Sequence, residues 1–304
     1  MRRIALLLLL TLLAGCSTTE DTVAPPNELQ DFQRGARLER LWSGDTGDAF
    51  NRRWVRMAPW HQGDRVFAAN VAGQVTAWEV AGGRRAWRTD LDAWLSAGVG
   101  GGDGRVFVAT AEGELIALDA ATGEQEWRQD VGGEVLAPPV TSGRALLVRT
   151  VDGRVMSLEP DSGERIWMYS SDVPALSLRG NSQPVPVSGG VLVGLDNGRL
   201  VALAAEMGRP LWETRIQEPE GRSPIERMVD IDGSLGIGRG VVYAVTYDGR
   251  IAQVEPREGR IRWSRDMSSY AGLSVDGERV YVTDAASHVR ALEPGTGATL
   301  WRQE

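Results

Sequence analysis

The sequence contains no lysine, a single cysteine and only two histidines among its 304 residues. All 33 basic residues are therefore arginine, and the 41 acidic residues leave a formal net charge of −8. The arginines are scattered along the chain and form no long basic run. An acidic chain of this kind is a poor candidate for nucleic acid binding, or for binding anionic lipids by charge alone.

The scarcity of cysteine and histidine also limits which disulfides and metal sites the chain can form. Cys16 has no second cysteine with which to form an intramolecular disulfide, so packing must stabilise the fold. His61 and His288 are far apart and lack the spacing of zinc ligands. Asp230 and Asp232 are similar to the start of a calcium loop, but no glutamate follows at its twelfth position. The sequence therefore predicts no metal site and no cofactor.

The N-terminus resembles the signal of a bacterial lipoprotein. A positive start, MRR, precedes a short apolar stretch that ends in Leu13-Ala14-Gly15-Cys16, which resembles a lipobox. The resemblance implies that residues 1–15 are a signal peptide and that Cys16 is acylated, so that the chain is anchored to a membrane. Ser17 favours sorting to the outer membrane. The alternative is an ordinary secretory signal with a chance cysteine.

A polar, non-periodic segment separates this anchor from the rest of the chain. It contains Pro25-Pro26 and is typical of a flexible tether. We therefore expect an acylated cysteine and tether over residues 16–37 and one folded domain over residues 38–304.

An internal repeat dominates the domain. Each of six tryptophans follows a glycine by four residues, and the tryptophans are Trp87, Trp127, Trp167, Trp212, Trp263 and Trp301. The clearest unit, Arg105 to Trp127, divides into three short apolar strands joined by glycine-bearing turns, and an upstream stretch supplies a fourth. Four antiparallel strands per roughly 40 residues are typical of a β-propeller blade. We expect an all-β propeller with six full repeats, in which the tryptophans pack between neighbouring blades.

The length of the repeat varies in only one half. From the second strand to the tryptophan the distance is 21 or 22 residues, whereas the following connection varies from 17 to 29. The two long connections, Val173–Pro186 and Pro219–Ser234, enter consecutive blades and should be neighbours on one face. Insertions gathered on one face often mark a binding surface, although loop drift without function is the alternative.

Trp42 is similar to a fourth-strand tryptophan, yet no strands of its own blade precede it. Propellers often close when an N-terminal strand completes the last blade, but this chain stops just after a fourth strand at Trp301. Either C-terminal blades are missing, or Trp42 has another role.

Units such as ALDAATGEQEW resemble the pyrroloquinoline-quinone-like propeller repeat. Together with the lipobox, the runs VPALSLRGNSQPVP and IERMVDIDGS resemble the BamB family, lipoproteins of the outer-membrane β-barrel assembly (Bam) machinery. The resemblance implies an eight-bladed, non-catalytic propeller at the periplasmic face of the outer membrane. It also implies binding to the POTRA domains of BamA, association with other Bam subunits and help in inserting unfolded outer-membrane proteins.

The same resemblance implies a contact with BamA through Leu176, Leu178 and Arg179 in the first long connection, and through Asp230 and Asp232 in the second. Apolar anchors flanked by charged hydrogen-bonding groups suit such an interface. The alternative is that the leucines are core residues of a first strand and that Arg179 pairs internally with an aspartate.

Two other functions compete with this interpretation. A quinoprotein dehydrogenase uses the same repeat, but such enzymes are longer and usually carry a vicinal cysteine pair, which a chain with one cysteine cannot form. An envelope scaffold with a different partner would share the fold and the anchor, and only the two long connections favour BamA.

Overall fold

The structure is a computed structural model that describes residues 35–47 and 55–303. The predicted signal peptide, Cys16 and nearly all of the tether lie outside the described residues. The chain divides into two units, Met1–Glu39 and Arg40–Glu304. Residues 35–39 of the first unit are exposed and contain no strand, and all elements named below belong to the second. Within the described stretches, no helix has the length and apolarity needed to cross a bilayer.

In the part of the chain that the structure describes, twenty-four strands form six four-stranded antiparallel sheets, each built from consecutive strands. The first sheet contains β1 (Trp60–Gln62), β2 (Arg65–Ala69), β3 (Gln74–Glu79) and β4 (Arg85–Asp90). The second contains β5 (Gly100–Gly102), β6 (Arg105–Ala109), β7 (Glu114–Asp119) and β8 (Gln125–Asp130). The third contains β9 (Val140–Ser142), β10 (Ala145–Arg149), β11 (Arg154–Leu158) and β12 (Arg165–Ser170).

The remaining three sheets repeat this order. The fourth contains β13 (Val185–Val187), β14 (Gly190–Gly194), β15 (Arg199–Ala204) and β16 (Pro210–Arg215). The fifth contains β17 (Gly236–Gly238), β18 (Val241–Val245), β19 (Arg250–Val254) and β20 (Ile261–Asp266). The sixth contains β21 (Leu273–Val275), β22 (Val280–Thr283), β23 (Val289–Leu292) and β24 (Thr299–Gln303). The prediction of an all-β propeller with six full repeats is confirmed.

Burial within each sheet follows the residue types of the strands. In β7 the run Leu115 to Leu118 is fully buried, as expected of a continuous apolar strand covered on both faces. By contrast, the fourth strand β8 is mostly exposed and carries polar residues around Trp127. The middle strands of each sheet therefore build the core, and the tryptophan strand forms its outer edge.

The hydrophobic core lies between the sheets. Five clusters of buried apolar residues each combine the middle strands of two consecutive sheets. For example, Phe67 and Val75 of the first sheet pack with Val106 and Ile116 of the second. No sheet can bury both of its faces alone, so each depends on its neighbours for stability.

A tryptophan and a glycine link each sheet to the next. The indole N–H of Trp167 donates to the carbonyl oxygen of Ala205 in the next sheet, at 2.8 Å. Its ring lies against Gly208, where an added Cβ would come within 2.3 Å of Cε3. Equivalent indole hydrogen bonds from one sheet to the next are made by Trp87, Trp127, Trp212 and Trp263. These five indoles therefore fix the spacing between consecutive sheets. The prediction was wrong for Trp301, which is 43 % exposed and lies near Tyr281 of its own sheet, the last that the structure describes.

Trp42 makes the same contacts with the first sheet. Its indole N–H donates to the carbonyl oxygen of Val80 at 2.8 Å, and its ring lies against Gly83. Residues 40–47 form no strand, but Trp42 occupies the place of a fourth-strand tryptophan from a preceding blade. Trp42 therefore packs against the first sheet in the way that a fourth-strand tryptophan packs against the sheet that follows it.

Two glycines offer a matched test of the tryptophan contact. Gly208 and Gly189 both have positive φ angles, 64° and 76°, but nothing lies within 4 Å of a Cβ placed at Gly189. Alanine at Gly189 should cost about 1–2 kcal/mol for the left-handed backbone. Alanine at Gly208 should cost a further 1–3 kcal/mol or so, because it overpacks against Trp167. Urea unfolding measures both, and equal costs would contradict the role of the contact.

Candidate docking face and buried carboxylate cluster

Two long connections lie side by side. We call residues 171–184, between β12 and β13, loop A, and residues 216–235, between β16 and β17, loop B. The backbone N–H of Leu178 in loop A donates to Oδ1 of Asp230 in loop B at 3.1 Å. The predicted first insertion was slightly too long, since Val185 and Pro186 pair with β14 as part of β13. The prediction that the two insertions are neighbours is confirmed.

A groove of about 450 Å³ opens between the two loops. Leu176 of loop A and Pro219 and Pro224 of loop B contribute to its apolar lining. Arg222 and Arg227 also line it, and both residues are exposed. Asp172 adds one exposed acidic side chain to the same lining, so the groove combines an apolar lining with a small excess of positive charge.

The three predicted binding residues of loop A differ in exposure. Leu176 is 39 % exposed, whereas Leu178 is half-buried. Neither lies in a strand, so they are not the first-strand core residues of the alternative interpretation. Exposed Arg179 makes a bidentate ion pair with Glu134, at 2.7 and 2.8 Å, rather than with an aspartate. Leu176 and Arg179 are thus presented at the surface.

Asp230 and Asp232 occupy a different environment, since both are buried, with 0 % and 5 % exposure. Burial, together with the neighbouring Asp196 carboxylate, raises the pKa of Asp230 to about 7. Burial and the carboxylates of Asp230 and Asp196 likewise raise the pKa of Asp232 to about 7. Gly180 lies so close that an added Cβ would be 3.0 Å from Cγ of Asp232. The aspartate pair therefore supports loop A from beneath.

The sequence did not predict that two further residues, Arg149 and Asp196, belong to this cluster. Arg149, at the end of β10, is buried and donates to Oδ1 of Asp196 and to the carbonyl oxygen of Gly194, both at 2.5 Å. It also donates to the hydroxyl of Ser182 in loop A, at 3.2 Å. Asp196 follows β14, far from loop B in sequence, so that only the fold brings it to Asp230. The one signal in the sequence was an arginine, Arg149, at the end of an apolar strand that the repeat buries.

The three carboxylates form a compact set. One oxygen from each of Asp196, Asp230 and Asp232 lies within 4.8 Å of the others. Oδ2 of Asp230 and Oδ1 of Asp232 are buried and have no hydrogen-bond partner in the part of the chain that the structure describes. Buried polar atoms are usually partnered, so these two oxygens are acceptors whose hydrogen-bonding capacity is unused.

Comparison with known proteins identifies the family. Residues 71–303 match the sequence profile of a family described as outer membrane protein assembly factor BamB. BamB of Alkalilimnicola ehrlichii is 53 % identical over 303 residues, covering 100 % of this chain and 78 % of the relative. BamB of Pseudomonas aeruginosa is 47 % identical over 300 residues, covering 99 % of this chain and 79 % of the relative. The crystal structure of BamB from Moraxella catarrhalis superposes with a TM-score of 0.77 at 30 % identity, covering 82 % of this chain and 75 % of that structure. The chain therefore belongs to the BamB family of outer membrane protein assembly factors.

Proposed function

We propose that this protein is a non-catalytic scaffold of the Bam complex that binds the POTRA domains of BamA through loops A and B. It is held at the periplasmic face of the outer membrane by lipid on Cys16. There it associates with other Bam subunits and assists the insertion of unfolded outer-membrane proteins. The observation that carries the proposal is the pairing of the two inserted loops, which present Leu176 and Arg179 above buried Asp230.

The residues of the face divide into two roles. Leu176 is exposed enough to be desolvated by a partner, and Arg179 is fixed by Glu134 with part of its guanidinium still accessible. Asp230 and Asp232 have almost no accessible surface. They act as positioning residues, because Asp230 accepts the N–H of Leu178 and Asp232 packs on Gly180.

The groove indicates what the partner surface should offer. Its apolar lining suits an inserted aliphatic or aromatic side chain, and its arginines suit nearby carboxylates. We therefore propose that the docking POTRA surface carries an apolar side chain flanked by acidic residues. The exposed outer strands such as β8 offer edges to extended client chains, by strand addition.

Copurification of BamA from solubilised outer membranes tests the proposal. Leu176→Ala should lower the free energy of unfolding by no more than about 1 kcal/mol, because the residue lies in a loop and is 39 % exposed. It should nevertheless weaken BamA binding about tenfold, as expected for a desolvated anchor. Leu211→Ala, in outer strand β16 and with 56 % exposure, is the matched control and should retain BamA.

The outcomes separate this function from its competitor. If Leu176→Ala retains as much BamA as the control does, loop A is not the BamA-binding loop. If another envelope protein copurifies with the parent and BamA does not, the chain is a scaffold with a different partner.

The positioning role of Asp230 has its own test. Asp230→Asn keeps an oxygen that can accept the N–H of Leu178, whereas Asp230→Ala does not. We therefore expect BamA to copurify with the asparagine variant and to be largely lost from the alanine variant at matched folding. Equal loss from both variants would contradict the positioning role and show that BamA binding depends on the negative charge of Asp230.

A further inference from the structure

We propose that Asp196, Asp230 and Asp232 bind one hard divalent cation, of the calcium and magnesium class, beneath loop A. The site lies between the turn after β14 and loop B, where the three side chains are buried. This inference is independent of the partner that the loops bind.

Three candidate ligand atoms, one oxygen from each carboxylate, lie close together. The three carboxylate oxygens lie within 4.8 Å of one another, a spacing that one cation can bridge. Independently of that spacing, Oδ2 of Asp230 and Oδ1 of Asp232 are buried acceptors without a hydrogen-bond donor among the described residues. A group of acceptors that lacks donors points to a cation rather than to an anion or an apolar ligand.

The charges of the cluster support a divalent ion. In the ionised state that cation binding requires, the three carboxylates face one buried counter-charge among the described residues, Arg149, which is bonded to Asp196. Arg56 is a second cation that acts on Asp232. Its guanidinium donates to the carbonyl oxygen of Tyr270, and the residue is exposed. The buried groups alone therefore leave two negative charges, which one divalent cation would neutralise.

The chemistry of the donors selects the class of ion. All three ligands are carboxylates, and no cysteine or histidine is part of the cluster. Carboxylate oxygens favour calcium and magnesium over softer metals. Calcium accepts irregular arrangements of six to eight oxygens, so it fits ligands from two separate loops better than magnesium does.

A cation at this place would connect the segments that shape the docking face. Asp196 belongs to the turn between β14 and β15, and Asp230 and Asp232 belong to loop B. The same aspartates contact loop A at Leu178 and Gly180. Binding should therefore order loop A as well as stabilise the fold.

Thermal unfolding of the chelator-treated protein tests the site, with calcium or magnesium chloride added to about 10 mM, tenfold above the dissociation constants of the weakest extracellular calcium sites. Against sodium chloride of equal ionic strength, we expect the melting temperature to rise by several degrees, reversibly with chelator. Asp232→Asn should lose at least tenfold in cation affinity by titration calorimetry. Asp266→Asn, at an exposed carboxylate in β20, should respond as the parent does.

Hydrogen exchange gives a second measurement on the parent chain. Calcium should slow exchange of the loop A amides, with little change in the outer strand β8. Absence of any thermal or calorimetric response in the parent would overturn the proposal. An equal response in Asp232→Asn would do the same, because it would place the binding elsewhere. Should Asp232→Asn fail to fold, one-to-one calorimetric binding to the parent with protection of loop A supports the site, and unchanged exchange overturns it.

Discussion

Alanine in place of Trp167 is expected to lower the free energy of unfolding by about 3–5 kcal/mol. The side chain is only 7 % exposed and packs in the core between the third and fourth sheets. Truncation removes its hydrogen bond to Ala205 and leaves a cavity beside Gly208. Urea unfolding followed by circular dichroism measures the loss.

Trp94 provides the matched control. It lies in the connection between β4 and β5 and is 45 % exposed. Trp94→Ala should lower the free energy of unfolding by only about 1–2 kcal/mol, because about half of the residue is already exposed. If Trp167→Ala unfolds at the urea concentration of the parent, the tryptophans do not hold the blades together.

Methionine in place of Arg149 should be as damaging, with an expected loss of about 3–5 kcal/mol. The substitution supplies an apolar side chain of similar length but removes the one buried cation that the described residues place beside the three buried carboxylates. It also removes one donor each from the Ser182 hydroxyl and the Gly194 carbonyl oxygen, which keep the hydrogen bonds between Ser182 and Gly194. The melting temperature and the urea midpoint should both fall.

A second substitution distinguishes the loss of charge neutralisation from poor packing of the methionine side chain. Adding Asp196→Asn to Arg149→Met removes the carboxylate that the arginine neutralises. We expect the double variant to recover more than half of the lost stability, since an unpaired buried charge costs more than a missing pair. A double variant that is less stable than Arg149→Met would show that packing, and not charge, explains the effect.

The fold could be predicted from the sequence because the same pattern of residues occurs in six repeats. Each unit combines a buried apolar strand, a turn glycine and a tryptophan, and the contact between Trp167 and Gly208 depends on that combination. Trp42 was recognisable for the same reason, because it must fit the glycine of the next blade.

The site could be predicted only in part. The lengths of the connections located loops A and B, but length carries no information about burial. Asp230 and Asp232 look like surface residues in a polar loop, yet the fold places them under Leu178 and Gly180. Asp196 and Arg149 come from other blades, so no local pattern could join them to the aspartate pair.

In the proposed function, loop A touches BamA directly. A photo-reactive amino acid at position 176, in the otherwise unchanged chain, tests this in intact outer membranes, with position 211 as the control. We predict a covalent adduct with BamA at its POTRA domains from position 176 and none from position 211. Adducts from position 211 alone, or from neither position while BamA still copurifies, would contradict the claim and place the interface elsewhere on the propeller.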